Sequence, residues 1–323
     1  MYGDLLGRAA EDVEAVGPVF HATRRFAADP PGSVLPLRLM GAVHRLALSG
    51  DAPELARCLP SLGGSARIEE TWQAFLATID RNQAVLESLI AHPVQTNEVG
   101  RAAPLLAGFL GVAAEFGLSL RLLELGASAG LNLRWDRFRY ESGPWHWGPA
   151  DSPVVLRDAF IKPPHIVNER MQIVERRGCD TTPLDPTLET DALTLLSYVW
   201  ADQPARIARL RGAIEIARTT PAVVEAQDAL SWLEGQTLLR TGVATVVFHS
   251  ILLQYMAAES RARVGELMEA AGERATNTSP LAWLSMEPAG ASARTQITTW
   301  PGVATRVIGT SPFHGLPLTL QAA

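Results

Sequence analysis

The chain of 323 residues is 47% hydrophobic and 19% charged, and 28 basic against 34 acidic side chains give a formal net charge of −6. That apolar content excludes a disordered chain, and the acidic balance argues against nucleic acid as the partner. Cys58 and Cys179 lie far apart without metal-ligand spacing, so neither a disulfide scaffold nor a zinc ribbon is expected and a reducing compartment fits.

The chain opens with Asp4, Glu11, Asp12 and Glu14 rather than a basic patch leading into an apolar run, which is not a signal peptide. The longest apolar stretch, Val243 to Ala258, contains His249, Ser250 and Gln254 and is too short to span a bilayer. The expectation is a cytoplasmic protein with no membrane partner.

Residues 1–117 read as a helical domain. Leu5, Leu6, Ala9, Val13, Val16 and Phe20 recur at helical spacing, and Pro30-Pro31-Gly32 breaks the pattern. Further stripes run through Leu39 to Ala47, through Trp72 to Ile90, and from about Thr96 to Phe116. Thr96 or Asn97 can supply an N-cap oxygen for the last of these, with Glu98 at its positive end. The alternative is that Gln95, Asn97 and Arg101 form a polar lid over a substrate pocket.

Residues 118–323 change texture. Six or seven short apolar runs alternate with segments of helical period, which predicts an α/β domain with a doubly wound, mostly parallel seven-stranded sheet. The runs are Leu118–Leu125, Met171–Val174 leading to Cys179-Asp180, Ala222–Val224 leading to Asp228, Val243–Phe248 ending at His249, Leu281–Met286 ending at Glu287, Gln296–Trp300 and Thr305–Ile308. The last two are close enough to form an antiparallel hairpin. Helices are expected over Leu131–Phe138, Pro204–Ala217, Asp228–Arg240 and Tyr255–Ala271, and residues 139–170, rich in Gly, Pro and Trp, read as an insertion with short strands.

Leu122-Leu123-Glu124-Leu125-Gly126-Ala127-Ser128-Ala129-Gly130 is the most informative stretch. A strand runs into small residues and then a helical pattern, a turn whose glycines allow close approach of a ligand and whose following helix offers free N–H groups. Polar residues at the other strand ends, Asp180, Asp228, His249 and Glu287, would converge on the same rim, unless they merely cap helices. No His, Asp or Glu spacing suggests a metal.

These residues resemble the class I S-adenosylmethionine-dependent methyltransferase fold. Glu124 to Gly130 looks like its first motif, an acid before a G-x-G-x-G loop, with Ser128 replacing the middle glycine. The resemblance implies that Gly126, Ser128 and Gly130 cradle the cofactor's methionine end, that Glu124 is also cofactor-binding, that Asp180 binds the ribose and Asp228 the adenine, and that His249 is a catalytic group facing a small-molecule acceptor. Val94 to Arg101, Leu123 to Asn132, Pro183-Leu184-Asp185 and Val247 to Ser250 also resemble a bacterial domain-of-unknown-function family, which implies an architecture but no reaction.

Two other readings stay open. The chain can be a non-catalytic member of the same fold that binds a nucleoside-like ligand or a protein. Gly126 to Gly130 also fits G-x-S-x-G, the nucleophile elbow of serine hydrolases, with Ser128 as nucleophile, His314 or His249 as base and Asp228 as orienter. Against that stand the helical first 117 residues and the acid at Glu124, close to where an oxyanion would develop.

Overall fold

The computed structural model describes residues 1–65, 67–164 and 171–321. They form two units, residues 1–96 with 186–211 and residues 97–185 with 212–323, limits that differ from the expected 1–117 and 118–323.

The first unit is helical. It contains α1 (Tyr2–Glu14), α2 (Pro18–Thr23), α3 (Leu35–Leu48), α4 (Pro53–Ala56), α5 (Ile68–Arg81) and α6 (Gln83–Ile90). The next helix, α7 (Ala102–Phe116), belongs to the second unit, and α8 (Glu189–Ser197) with the start of α9 (Pro204–Thr219) returns to the first. The stripes read from sequence form most of its core: Leu5, Ala9, Leu39, Val43, Leu46, Phe75, Ile79, Leu86 and Ile90 are buried, whereas Val13 and Val16 of the first stripe are exposed, because α1 ends at Glu14. Two polar groups are buried with them. Arg38 pairs with Asp29 at 2.6 Å and donates to the Ile90 carbonyl. His44 places Nδ1 3.1 Å from the Ser197 carbonyl and Nε2 3.0 Å from the Ser61 hydroxyl. Burial lowers its pKa to about 4, so the ring stays neutral.

The second unit is built on a large, mostly parallel sheet. Its strands are β1 (Ser119–Leu125), β5 (Ile173–Asp180), β6 (Val223–Ala226), β7 (Val243–Ser250), β8 (Leu281–Ala289), β9 (Ser292–Trp300), β10 (Ala304–Ser311) and β11 (Thr319–Leu320). They lie in the order β11-β10-β9-β8-β7-β1-β5-β6. The run β8-β7-β1-β5-β6 is parallel, and β8 through β11 is an antiparallel meander. The chain winds from β1 through β5 to β6, then crosses back to the other side of β1 for β7, so strand order reverses at β1. The sheet has eight strands rather than the expected seven, because two residues near the C-terminus pair with β10. The expected β9–β10 hairpin is present. A second hairpin joins β8 to β9, so Glu287 lies inside a strand that runs past the end of β7.

The helices between strands are α8 and α9 before β6, α10 (Ala229–Glu234) before β7 and α11 (Ala258–Gly272) before β8. Two segments correct the sequence reading. The segment after β1 is not an α-helix but a 3-10 stretch, Asn132–Arg137, broken at Arg134. The Arg134 N–H bonds the Leu131 carbonyl, while its guanidinium takes the Gly130 carbonyl that an α-helical bond would have used. The helix expected over Asp228–Arg240 stops at Glu234, and the Gln236 and Leu238 carbonyls instead accept from buried Arg121.

Alternation along the strands divides the core. Leu123, Leu125, Val247 and Leu281 pack with Trp232, Val264 and Met268 of α10 and α11. On the opposite face Phe109 of α7 meets Phe248 edge-on at 5.1 Å and stacks on Trp135 at 4.4 Å. The segment Val99–Phe116 is long and apolar enough to cross a membrane, but 67% of it is buried and α7 packs on β7 to β10, as a core helix does. The insertion forms its own sheet of β2 (Arg139–Ser142), β3 (Trp145–Trp147) and β4 (Val155–Leu156) in the order β3-β2-β4. Its last six positions, 165–170, lie outside the described residues. Trp147 stacks on Trp135 and Trp145 meets Phe160, so both indoles serve packing.

Candidate functional site

Beyond the carboxyl ends of β1, β5, β6 and β7 lies a cleft of about 300 Å³. Its floor is Gly126 and Cys179. Asp180 ends β5 and Thr181 follows it, Gln227 and Asp228 follow β6, and Leu230, Leu252, Tyr255, Met256 and Ser260 supply the walls. This is the rim where strand order reverses, the position at which open parallel sheets accommodate ligands. No Lys or Arg is among the residues that line it, whereas two carboxylates are.

Asp180 and Asp228 come together here from separate strands, and each also holds backbone. Asp180 accepts the Ser128 N–H at 2.9 Å and the Thr182 N–H at 3.0 Å, one on each oxygen. Asp228 caps α10 by accepting the Ser231 N–H at 3.0 Å, and bonds from Ser231 hold its carboxyl below the usual range. Burial pushes the Cys179 thiol up to about 12, which disfavours the thiolate.

The glycine turn is less open than its sequence implies. Gly126, Ser128 and Gly130 all have positive φ, at 67°, 53° and 64°. The Ser128 N–H is taken by Asp180, the Gly130 N–H by the Ala127 carbonyl and the Leu131 N–H by Asn97 Oδ1 at 2.8 Å. Of the three turn residues only Gly126 reaches the cleft; a Cβ on Gly130 would meet Val224 at 2.8 Å, which makes its closeness a matter of strand packing. Glu124 points to the other face of β1 from Leu125. It is 2% exposed, one carboxylate oxygen has no hydrogen-bond partner among the described residues, and burial raises its pKa well above the usual value despite nearby Arg134. Neither Ser128, Gly130 nor Glu124 lines the cleft.

The segment expected to cap or lid the site is tied down by bonds to its own turn and to other segments. Glu98, not Thr96 or Asn97, is the cap, accepting the Gly100 N–H ahead of a 3-10 turn over Val99–Arg101. Asn97 ties that segment to the glycine turn. Arg101 donates to the carbonyls of Phe313 and Ser250 at 3.1 and 3.4 Å. Gln95 falls in the first unit.

His249 is placed differently from a catalytic group that faces an acceptor. It is 0% exposed; Nδ1 lies 2.7 Å from Glu287 Oε1, and Nε2 accepts the Trp283 indole N–H at 3.0 Å. Accepting at Nε2 and donating at Nδ1 defines a neutral ring with both nitrogens engaged. Glu287 also accepts the N–H groups of Leu252 and Leu253 at 2.9 and 3.3 Å, so this relay fixes the loop that forms one wall of the cleft. With His249 engaged in this way and Asp228 capping α10, His249 and Asp228 do not form a triad with Ser128. Leu252 carried no signal in the chain pattern beyond its place after the apolar run of β7, Tyr255 read only as the start of a helix, and Trp283 only as a member of the apolar run of β8.

Fold and cleft define a mixed α/β protein with a crevice at the carboxyl rim of its parallel strands. The chain belongs to the bacterial family described as "Uncharacterized protein conserved in bacteria (DUF2332)", which matches residues 1–319. No curated protein and no solved structure matches it.

Proposed function

We propose that the chain binds S-adenosylmethionine in this cleft, on a methyltransferase-like doubly wound core, and directs its methyl group to a small-molecule acceptor. The observation that carries the reading is the pair of carboxylates, Asp180 and Asp228, at adjacent strand ends in a cleft whose lining holds no basic side chain. Such a lining repels phosphates, which disfavours dinucleotides, and attracts a cation. Carboxylate oxygens suit donors, namely ribose hydroxyls at Asp180 and an exocyclic amine at Asp228, and Leu230, Tyr255 and Met256 offer apolar surface to a flat ring.

When bound, the sulfonium supplies an already activated methyl group. The chain's part is then to bind, orient and exclude water, which asks for no acid, base or nucleophile in the lining. A neutral Cys179 and a buried His249 are compatible with that division. The same two facts favour a second reading, a protein that binds the nucleoside without turnover.

Calorimetry with S-adenosylmethionine and S-adenosylhomocysteine, and with NAD as the phosphate-bearing control, tests the binding. Micromolar affinity for the first two and none for NAD is expected, with Asp228→Asn weakening binding about tenfold through loss of a charged acceptor. Silence with both sulfur nucleosides, or equal affinity for NAD, would refute it. Methyl transfer from labelled cofactor into a small-molecule extract separates the enzyme from the binder.

A further inference from the structure

The glycine that reaches the cleft is covered by the protein itself. A Cβ built on Gly126 would lie 2.6 Å from Leu252 Cδ1 and 3.4 Å from its Cδ2 and Cγ. The space that a glycine leaves open for a ligand is therefore filled by a leucine side chain. That leucine is only half-buried and lines the cleft.

Its backbone is held firmly. Ile251, just before it, has φ 53°, a conformation that a β-branched residue rarely adopts, and its N–H bonds the Met286 carbonyl at 2.8 Å. The Leu252 N–H bonds Glu287, whose carboxylate is braced by His249, itself held by the Trp283 indole N–H. The backbone is thus fixed, and a change of rotamer is the movement left to this half-buried side chain. The cleft that remains, about 300 Å³, sits at the lower end for ligand pockets.

We infer that Leu252 is a specificity-determining gate at the glycine end of the cleft. With Leu252 over Gly126 the cleft takes a nucleoside, and a nucleoside carrying an amino-acid tail must turn the leucine aside to lay that tail along the turn. Glu287 is the positioning residue that keeps the gate in register. The inference rests on the cofactor reading above, and its test is separable from it.

The test is a truncation series measured by calorimetry: adenosine, 5′-methylthioadenosine and S-adenosylhomocysteine against the wild type, Leu252→Ala and the volume-conserving Leu252→Met. Leu252→Ala is expected to tighten S-adenosylhomocysteine about tenfold and to leave adenosine and methylthioadenosine within about twofold, since only the tail meets the gate. Leu252→Met should behave as wild type. A general loosening of structure moves all three ligands together, so the ratio of tailed to tailless affinity is the readout. Should the alanine variant fail to fold, Leu252→Val must shift that ratio in the same direction. An unchanged ratio, with wild-type binding of S-adenosylhomocysteine intact, overturns the gate and leaves the cofactor reading standing. Absence of binding by all three ligands to wild type and Leu252→Ala overturns both.

Discussion

Asp180 and Asp228 look equivalent as acids after apolar strands, yet the structure gives them unequal structural duties, and substitution should separate them. Asp180 accepts two backbone N–H groups. Thr182 is exposed, so water can replace the carboxylate there at little cost. Ser128 is 4% exposed and sits at φ 53°, so its N–H has no such replacement and the turn has a strained residue to hold. A hydrogen bond to a charged group contributes about 1.5–3 kcal/mol, and the orphaned donor adds to the loss, so Asp180→Ala should cost about 2–4 kcal/mol. Asp228→Ala loses one helix cap, about 1 kcal/mol, and Asp228→Asn should cost close to nothing because Asn caps as well as Asp. Urea unfolding followed by tryptophan fluorescence, with midpoints compared at constant slope, reads these differences. Equal stability of Asp180→Ala and wild type would show that the carboxylate does not hold the glycine turn. The same contrast makes Asp228→Asn the cleaner probe of ligand binding, because it removes a charge and keeps the cap.

Two predictions concern pH. His44 titrates near 6.5 when unfolded and at about 4 when folded, so between these values the unfolded chain binds more protons and stability rises with pH. At about 1.4 kcal/mol per pH unit, the protein should lose about 3 kcal/mol between pH 6.5 and 4 on this account, and His44→Gln should flatten that slope in urea titrations; an unchanged slope refutes it. Glu124 works in the opposite sense. Its folded pKa is raised by burial, so its favourable contribution is complete below the unfolded value and is lost as pH rises towards the folded one. Glu124→Gln, which mimics the neutral acid, should therefore gain stability relative to wild type from pH 5 to pH 8, and a difference that does not vary with pH would count against a neutral Glu124.

What was legible in the chain was whatever local periodicity encodes. The buried stripes of α1, α3 and α5, the apolar run of β7 and the acids after β5 and β6 follow from repeats of 3.6 or 2 residues and from what must follow a strand. What was not legible depends on partners distant in sequence. Glu287 read as the end of a strand, but pairing with β9 carries β8 three residues further, and only then does its carboxylate meet His249, thirty-eight residues away. Asn97 read as a cap or a lid, and its bond to the Leu131 N–H spans thirty-four residues. The segment after Gly130 has a helical pattern, and a single guanidinium folding back on the Gly130 carbonyl diverts it.

These distant bonds also change the meaning of the glycine turn. In a ligand-binding turn of this kind the backbone N–H groups are the expected donors to a carboxylate or phosphate. Here Asp180, Asn97 and the Ala127 carbonyl take the N–H groups of Ser128, Leu131 and Gly130. A phosphate arriving at the turn would have to displace internal partners and would approach Asp180 itself, whereas a zwitterionic tail also brings an ammonium group that Asp180 attracts. The small residues therefore do not make a phosphate cradle. They make a tight corner that lets Asp180 sit beside β1, which places a negative charge on the rim of the cleft where a glycine-rich turn alone would have placed partial positive ones.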